Sequence, residues 1–164
     1  MKTYSLLILK PGSLKKKEMV LKALEQNDIQ VETMREARLS LEAVERHYAE
    51  HYGKPFYPTL VDYMVTGNVK DIVQFYPGCI LMVVSSTKEN ENEEEFITRS
   101  RKVVKEVIRP MLALKRENYK YLSEEDFKEV SMTANGIHAS DSPKSAEREI
   151  NNFFPEFFDE KEID

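Results

Sequence analysis

The chain predicts an α/β protein, a two-layer sandwich of sheet and helices. Apolar runs of strand length alternate with helical-period segments, in the order strand, helix, strand, helices, strand, helix and a final strand. With 164 residues, 41% of them apolar, the chain can bury one core without disulfide or metal staples. We place a single domain at residues 1–154 and a C-terminal tail at 155–164.

Tyr4 to Lys10 (YSLLILK) is almost continuously apolar and stops at Pro11-Gly12, as a buried strand entering a turn does. Met19, Val20, Ala23 and Leu24 give Lys15 to Gln26 a helical pattern, with Lys15-Lys16-Lys17 as a solvated face. Ile29, Val31 and Met34 mark a second strand of roughly ten residues. Ser40 caps a helix to about Tyr52, and Leu60 to Val65 form another, stopped by Gly67. Pro77-Gly78 turns the chain into the buried strand Cys79 to Ser86 (CILMVVSS).

Lys88 to Glu95, acidic and asparagine-rich, reads as a solvated linker. Phe96, Ile97, Val103, Val104, Val107 and Ile108 indicate a helix from Glu94 to about Leu114, interrupted near Pro110. A short helix follows near Ser123 to Val130, and the last strand is placed near Glu129 to Thr133. The terminal run Phe153-Phe154-Pro155-Glu156-Phe157-Phe158, ahead of an acidic end, reads as a tail docking on this subunit or a neighbour.

Composition narrows the function. A net charge of −5 argues against a broad nucleic-acid-binding surface, so no nucleic-acid partner is expected. Cys79 is the single cysteine and cannot form an internal disulfide, which fits a reducing compartment. No apolar run approaches the ~20 residues of a membrane span, and the chain begins on a strand without a cleavable signal pattern. A cytoplasmic protein without a membrane partner is expected. The five glycines are not clustered, which excludes a glycine-rich phosphate cradle; a phosphate ligand would need charged side chains and a metal instead.

The most informative stretch is Asn135 to Glu149. Asn135-Gly136 is a turn dipeptide, Ser142 is placed to cap a helix, and Pro143 fits its first position. His138 is therefore expected in a loop just before a helix. Ala146, Ile150 and Phe153 define the buried face of that helix, with Glu149 on the same side. Helical side chains lean toward the N-terminus, so the Glu149 carboxylate projects back toward His138. Together with Ser140 it can hold the imidazole in one tautomer, as a nucleophilic histidine requires. A rival pattern lies upstream: His47-Tyr48-Ala49-Glu50-His51 has the spacing of an inverted zinc-protease motif, though no third ligand is identified.

Asn135-x-x-His138-x-Ser140-Asp141-Ser142, followed by Ser145-Ala146-x-x-Glu149, resembles the active-site signature of the nucleoside diphosphate kinase family, whose histidine is transiently phosphorylated. The block from His47 to Gly67, including Tyr48 and Phe56, resembles the family's second characteristic segment, and Lys10-Pro11 after an apolar strand resembles its first. Many relatives carry Asp where this chain has Gly12.

The resemblance implies a ferredoxin-like sandwich with a four-stranded antiparallel sheet and covering helices. It further implies ping-pong transfer of a γ-phosphoryl group from a nucleoside triphosphate to a nucleoside diphosphate. His138 would be the nucleophile. Glu149 would orient its ring, and Tyr48 and Ser140 would serve the phosphoryl region. Lys10 and Asn135 would hold the sugar hydroxyl and Phe56 would stack on the base. Mg²⁺ would come with the nucleotide, with Asp141 near it through water, and a homo-oligomer is implied.

The resemblance weakens between Ser86 and Ala134. Arg101 and Arg116 are plausible matches to the family's two phosphate-binding arginines, Arg109 competes with both, and its loop threonine has no counterpart. That gap motivates a second reading, a nucleotide-binding relative without turnover that acts as a regulatory partner.

Overall fold

The computed structural model describes residues 2–163. In chain order its strands are β1 (Tyr4–Leu9), β2 (Ile29–Ala37), the short hairpin β3 (Asn68–Val69) and β4 (Val73–Gln74), β5 (Cys79–Ser86) and β6 (Ile137–Ala139). The helices are α1 (Lys17–Gln26), α2 (Leu41–His47), α3 (Tyr57–Thr66), α4 (Glu93–Val103), α5 (Arg109–Leu112), α6 (Glu124–Thr133), α7 (Pro143–Phe153) and α8 (Phe157–Ile163). The main sheet runs β2-β5-β1-β6 with every neighbour antiparallel, the ferredoxin-like arrangement.

Strand alternation explains the layers. Leu7 and Leu9 of β1 and Ile80, Met82 and Val84 of β5 face one side, where they meet Val20 and Leu24 of α1 and Phe96 of α4. Leu6, Ile8, Leu81 and Val83 face the other and meet Val44 of α2, Met64 of α3 and Ile150 of α7. Helices thus cover both faces, which is why YSLLIL and CILMVVSS read as continuous apolar runs rather than alternating ones. Each fully buried Leu or Ile contributes about 1.5–3 kcal/mol, so these two central strands anchor the fold.

Most helix ends follow local chemistry. The side chains of Ser40, Ser123 and Ser142 accept hydrogen bonds from Ala43, Asp126 and Ser145 N–H. Gly67, at φ 78°, closes α3 in the left-handed conformation.

Three expectations need correction. The segment Glu129–Thr133 is the last part of α6, and the final strand lies later, at β6, so His138 sits in a strand and not a loop. Three residues are too few to show an alternation; their pairing with the open edge of β1 makes them a strand. The acidic linker ends at Asn92, because Asn92 and Glu95 form a reciprocal capping box that starts α4 at Glu93. Finally, α2 stops at His47, and Ala49–His51 form a separate 3₁₀ turn.

The interruption near Pro110 takes the form of a π-turn, Val104–Ile108, between α4 and α5. Proline has no amide hydrogen and its ring clashes with the carbonyl four residues back, so the helix widens there. At the C-terminus, Phe157 is buried with its ring edge-on to Tyr4 at 4.9 Å, and Lys161 reaches Glu32 of β2 at 3.6 Å. No helix among the described residues is long and apolar enough to cross a membrane.

Candidate active site

The pairing of β6 with β1 builds the site. His138 lies opposite Ile8, the Lys10 amide donates to the Gly136 carbonyl at 2.8 Å, and the Ser140 amide donates to the Leu6 carbonyl at 3.1 Å. These bonds fix Lys10 and His138 side by side at one sheet end. Gly136 makes this possible: at φ 96°, a Cβ there would stand 2.7 Å from the Leu112 side chain.

Behind His138 lies a buried hydrogen-bond chain. The Ser140 hydroxyl accepts from the Leu6 amide at 3.1 Å and donates to Glu149 Oε1 at 2.8 Å; the same oxygen lies 2.7 Å from His138 Nε2. A carboxylate only accepts, so Nε2 carries the proton and Nδ1 keeps the free lone pair. Glu149 reaches this point because Ala146, Glu149, Ile150 and Phe153 form the buried face of α7.

Burial, then the nearby Lys10 cation, pushes the His138 pKa down to about 3. Burial likewise raises Glu149, though His47 and the Ser140 hydrogen bond partly offset that. The short contact is therefore a hydrogen bond from a neutral imidazole, not an ion pair, and the His138 ring is neutral at physiological pH with the Nδ1 lone pair free.

In front of His138 opens a cavity of about 550 Å³. Lys10, Tyr48, Phe56, Arg109, Asn135 and His138 line it, joined by His51, Leu60, Lys70, Glu129, Met132 and Thr133. Lys10 is 6% exposed and donates to Asn135 Oδ1 at 2.9 Å; Arg109 donates to the Ile137 carbonyl at 3.3 Å, and its Nε is buried without a partner among the described residues. Both cations thus rest on neutral acceptors. Burial lowers the Lys10 pKa to about 8, with Arg109 adding to the effect. Buried charge without a counter-charge is costly, so this wall is built for an anion. The Tyr48 hydroxyl, also buried and without a partner among the described residues, adds a hydrogen-bonding group.

Phe56 is half exposed at the cavity mouth and carries an aromatic chain inward: His51 lies 5.3 Å from it and 5.9 Å from Tyr48, whose ring is 6.5 Å from His138. Opposite, Lys70 and Glu129 pair across the rim.

Of the residues expected from sequence, Lys10, Tyr48, Phe56, Asn135, His138, Ser140 and Glu149 come together. Arg101 and Arg116 do not reach the cavity. Arg101 is an exposed residue of α4. Arg116 ties down its own loop, donating to the Tyr119 and Leu122 carbonyls and lying 5.1 Å over the Phe127 ring. Arg109 is the arginine in the cavity, and nothing in its sequence surroundings set it above Arg101 and Arg116. Lys70, Glu129 and Met132 left no signal, because helix α6 and the hairpin had to be placed before they could meet. Asp141 is exposed and borders a smaller space behind His138. The zinc-protease pattern does not assemble: with α2 ending at His47, His51 turns into the aromatic chain instead of standing one helical turn above His47.

A ferredoxin-like sheet that presents a neutral, carboxylate-held histidine to an anion-binding cleft defines a phosphate-handling α/β protein. The chain belongs to the nucleoside diphosphate kinase family, whose model matches residues 3–158 under the description "Nucleoside diphosphate kinase". It is 32% identical over 156 residues to a nucleoside diphosphate kinase of Helicobacter pylori, covering 94% of this chain and 96% of that one. The corresponding enzyme of Hydrogenovibrio crunogenus is 31% identical over 151 residues, 91% of this chain and 90% of the relative. The fold matches the crystal structure of the Aquifex aeolicus nucleoside diphosphate kinase with a TM-score of 0.63 at 22% identity, across 94% of this chain and 96% of that one.

Proposed function

We propose that this chain moves the γ-phosphoryl group of a nucleoside triphosphate to a nucleoside diphosphate through His138. The observation that carries the reading is the position of a neutral, carboxylate-oriented imidazole beside two cations without counter-charges among the described residues, buried Lys10 and half-buried Arg109.

His138 Nδ1 would attack the γ-phosphorus while the bond to the bridging oxygen breaks, and the diphosphate leaves with the electron pair. A second nucleoside diphosphate, through a terminal β-phosphate oxygen, would then take the group from the same nitrogen and restore the free imidazole. Glu149, fixed by Ser140, stabilises the positive charge that develops on the ring. Lys10, Arg109 and the Tyr48 hydroxyl face the negative charge spread over the transferring oxygens. Asn135 and Lys10 hold the sugar hydroxyl, and Phe56 stacks on the base, a contact tolerant of base identity.

The cavity offers no carboxylate cage for a divalent ion, since Glu129 is engaged by Lys70. That donor set suits Mg²⁺ held by nucleotide phosphates, and Asp141, which borders the smaller space behind His138 and not this cavity, is not placed to hold it. Bound in this way, Mg²⁺ neutralises phosphate charge and orients the phosphates. We also propose a cytoplasmic homo-oligomer acting on nucleoside di- and triphosphates, with no role in nucleic-acid binding.

The test is phosphate exchange between ATP and GDP, with an acid-labile, alkali-stable phosphoprotein formed from γ-labelled ATP and Mg²⁺. Nucleotide binding without exchange or labelling would sink this reading and leave the regulatory one.

A further inference from the structure

We propose that His47, His138 and Glu149 form a binding site for a zinc-class divalent transition-metal ion, and that occupancy of this site arrests the nucleophile. His47, the last residue of α2, is 4% exposed, and neither of its ring nitrogens has a hydrogen-bond partner among the described residues. A buried imidazole with both nitrogens unsatisfied is rare and calls for a ligand. His47 is unused in the transfer chemistry, yet its ring stands edge-on to His138 at 4.4 Å.

The three side chains each offer a donor atom, and these atoms all lie within 4.8 Å of one another. A cavity of about 170 Å³ on the far side of His138 borders all three and leaves room for an ion and a water. Metal bonds of ~2.0–2.1 Å bring tetrahedral donors to ~3.4 Å apart, so His47 closes in by side-chain rotation and Glu149 moves slightly away from His138. Arg148, 3.8 Å from Glu149 and partly exposed, can turn toward Glu50, 3.7 Å away.

The donor set selects the metal. Two imidazoles and one carboxylate suit Zn²⁺ and its neighbours, whereas Mg²⁺ prefers six oxygens and would stay with nucleotide phosphates. The site is distinct from the inverted-protease spacing, because it uses His47 without Glu50 or His51.

Binding would balance as a tautomer shift: solvent takes the His138 Nε2 proton and returns one to Nδ1, so the ring stays neutral and Nε2 gives its lone pair to the metal with no net proton released. The ring then loses its hydrogen bond to Glu149, and Nδ1, now protonated, has no lone pair to offer phosphorus. This consequence rests on His138 being the phosphate acceptor; the site itself does not.

The experiment uses the full chain, stripped with chelator and titrated with Co²⁺ and with Zn²⁺ in the presence of excess Mg²⁺. Expected is one equivalent of Co²⁺ with the visible absorption of tetrahedral coordination, displaced by Zn²⁺ and absent in His47→Phe and in His47→Gln. In wild type, Zn²⁺ should suppress labelling by γ-labelled ATP at least tenfold, while labelling in the His47 variants should not respond to it. Anomalous diffraction from Zn²⁺-soaked wild-type crystals should place the ion between His47 and Glu149, whatever the variants do. No saturable uptake, equal uptake in the His47 variants, or an ion elsewhere would overturn the site. Uptake as expected in a chain that never labels would keep the site and refute the transfer reading instead.

Discussion

The two walls of the large cavity are built on different terms. The histidine wall hangs on β1, β6 and α7, where one buried hydrogen-bond chain runs from the Leu6 amide through Ser140 and Glu149 to His138. The opposite wall, formed by Phe56, Lys70, Glu129 and Met132, is open to solvent, with Phe56 49% and Met132 68% exposed. Under the proposed function, the wall that holds the reacting groups is rigid, while the surface that would meet the nucleoside is adaptable. Chemistry demands alignment within fractions of an ångström, whereas stacking on a base tolerates displacement.

The strongest way to break this contrast is to exchange the two histidines nearest the cavity. His138→Ala should abolish phosphoprotein formation and lower exchange by more than about 10³-fold, as expected for loss of a nucleophile. His51→Ala removes only a ring of the aromatic chain and should still label. Equal labelling in both variants would place the nucleophile elsewhere.

The next effect separates the arginines. Arg109→Ala should lower kcat/KM by about 10²–10³-fold, the scale of losing one preorganised charge at a transition state. Arg116→Ala should leave kcat/KM within about threefold and instead lower Tm, since it removes two hydrogen bonds from the guanidinium to backbone carbonyls of the loop before α6, each worth roughly 1 kcal/mol. The reverse result would restore the assignment made from sequence.

That assignment shows what the sequence can carry. The histidine wall could be read because its residues come in two short blocks whose local chemistry is strong: Ser142-Pro143 starts α7, and the α7 period turns Glu149 inward. The sheet was readable from its two doubly buried strands. Between Ser86 and Ala134 the helices and the break near Pro110 were readable, but the arginine that enters the cavity was not, because that depends on where Pro110 widens the helix and on how α6 packs on α3. Arg109 and Arg116 look alike in sequence, and only packing decides which one faces the cavity. Residues 137–139 became a strand through pairing across more than a hundred residues, a contact no local window contains.

On the adaptable wall, Phe56→Ala should weaken nucleotide binding by about 1–3 kcal/mol, by a similar factor for purine and pyrimidine nucleotides. A loss confined to one base would mean that the rim pair of Lys70 and Glu129 reads base edges, and Glu129→Gln would then change the preference.

The smallest effect is a pH dependence with opposite signs for binding and for stability, both from Lys10. Its folded pKa of about 8 lies below the ordinary 10.5, so between these values the folded chain binds fewer protons than the unfolded one. Ligand-free stability should therefore rise with pH through this window, as the buried ammonium loses its charge. Nucleotide affinity should move the other way, because at pH 9 only about a tenth of Lys10 remains charged, and binding must recover the proton. Burial raises the pKa values of Cys79, to about 12, and of Tyr48, so neither competes in this range. Calorimetry of ADP binding in buffers of different ionisation enthalpy should report proton uptake above pH 8, and Lys10→Met should flatten both slopes. An affinity that stays level from pH 7 to 10 in wild type would mean that Lys10 does not meet the phosphates, and the anion-binding wall would then rest on Arg109 alone.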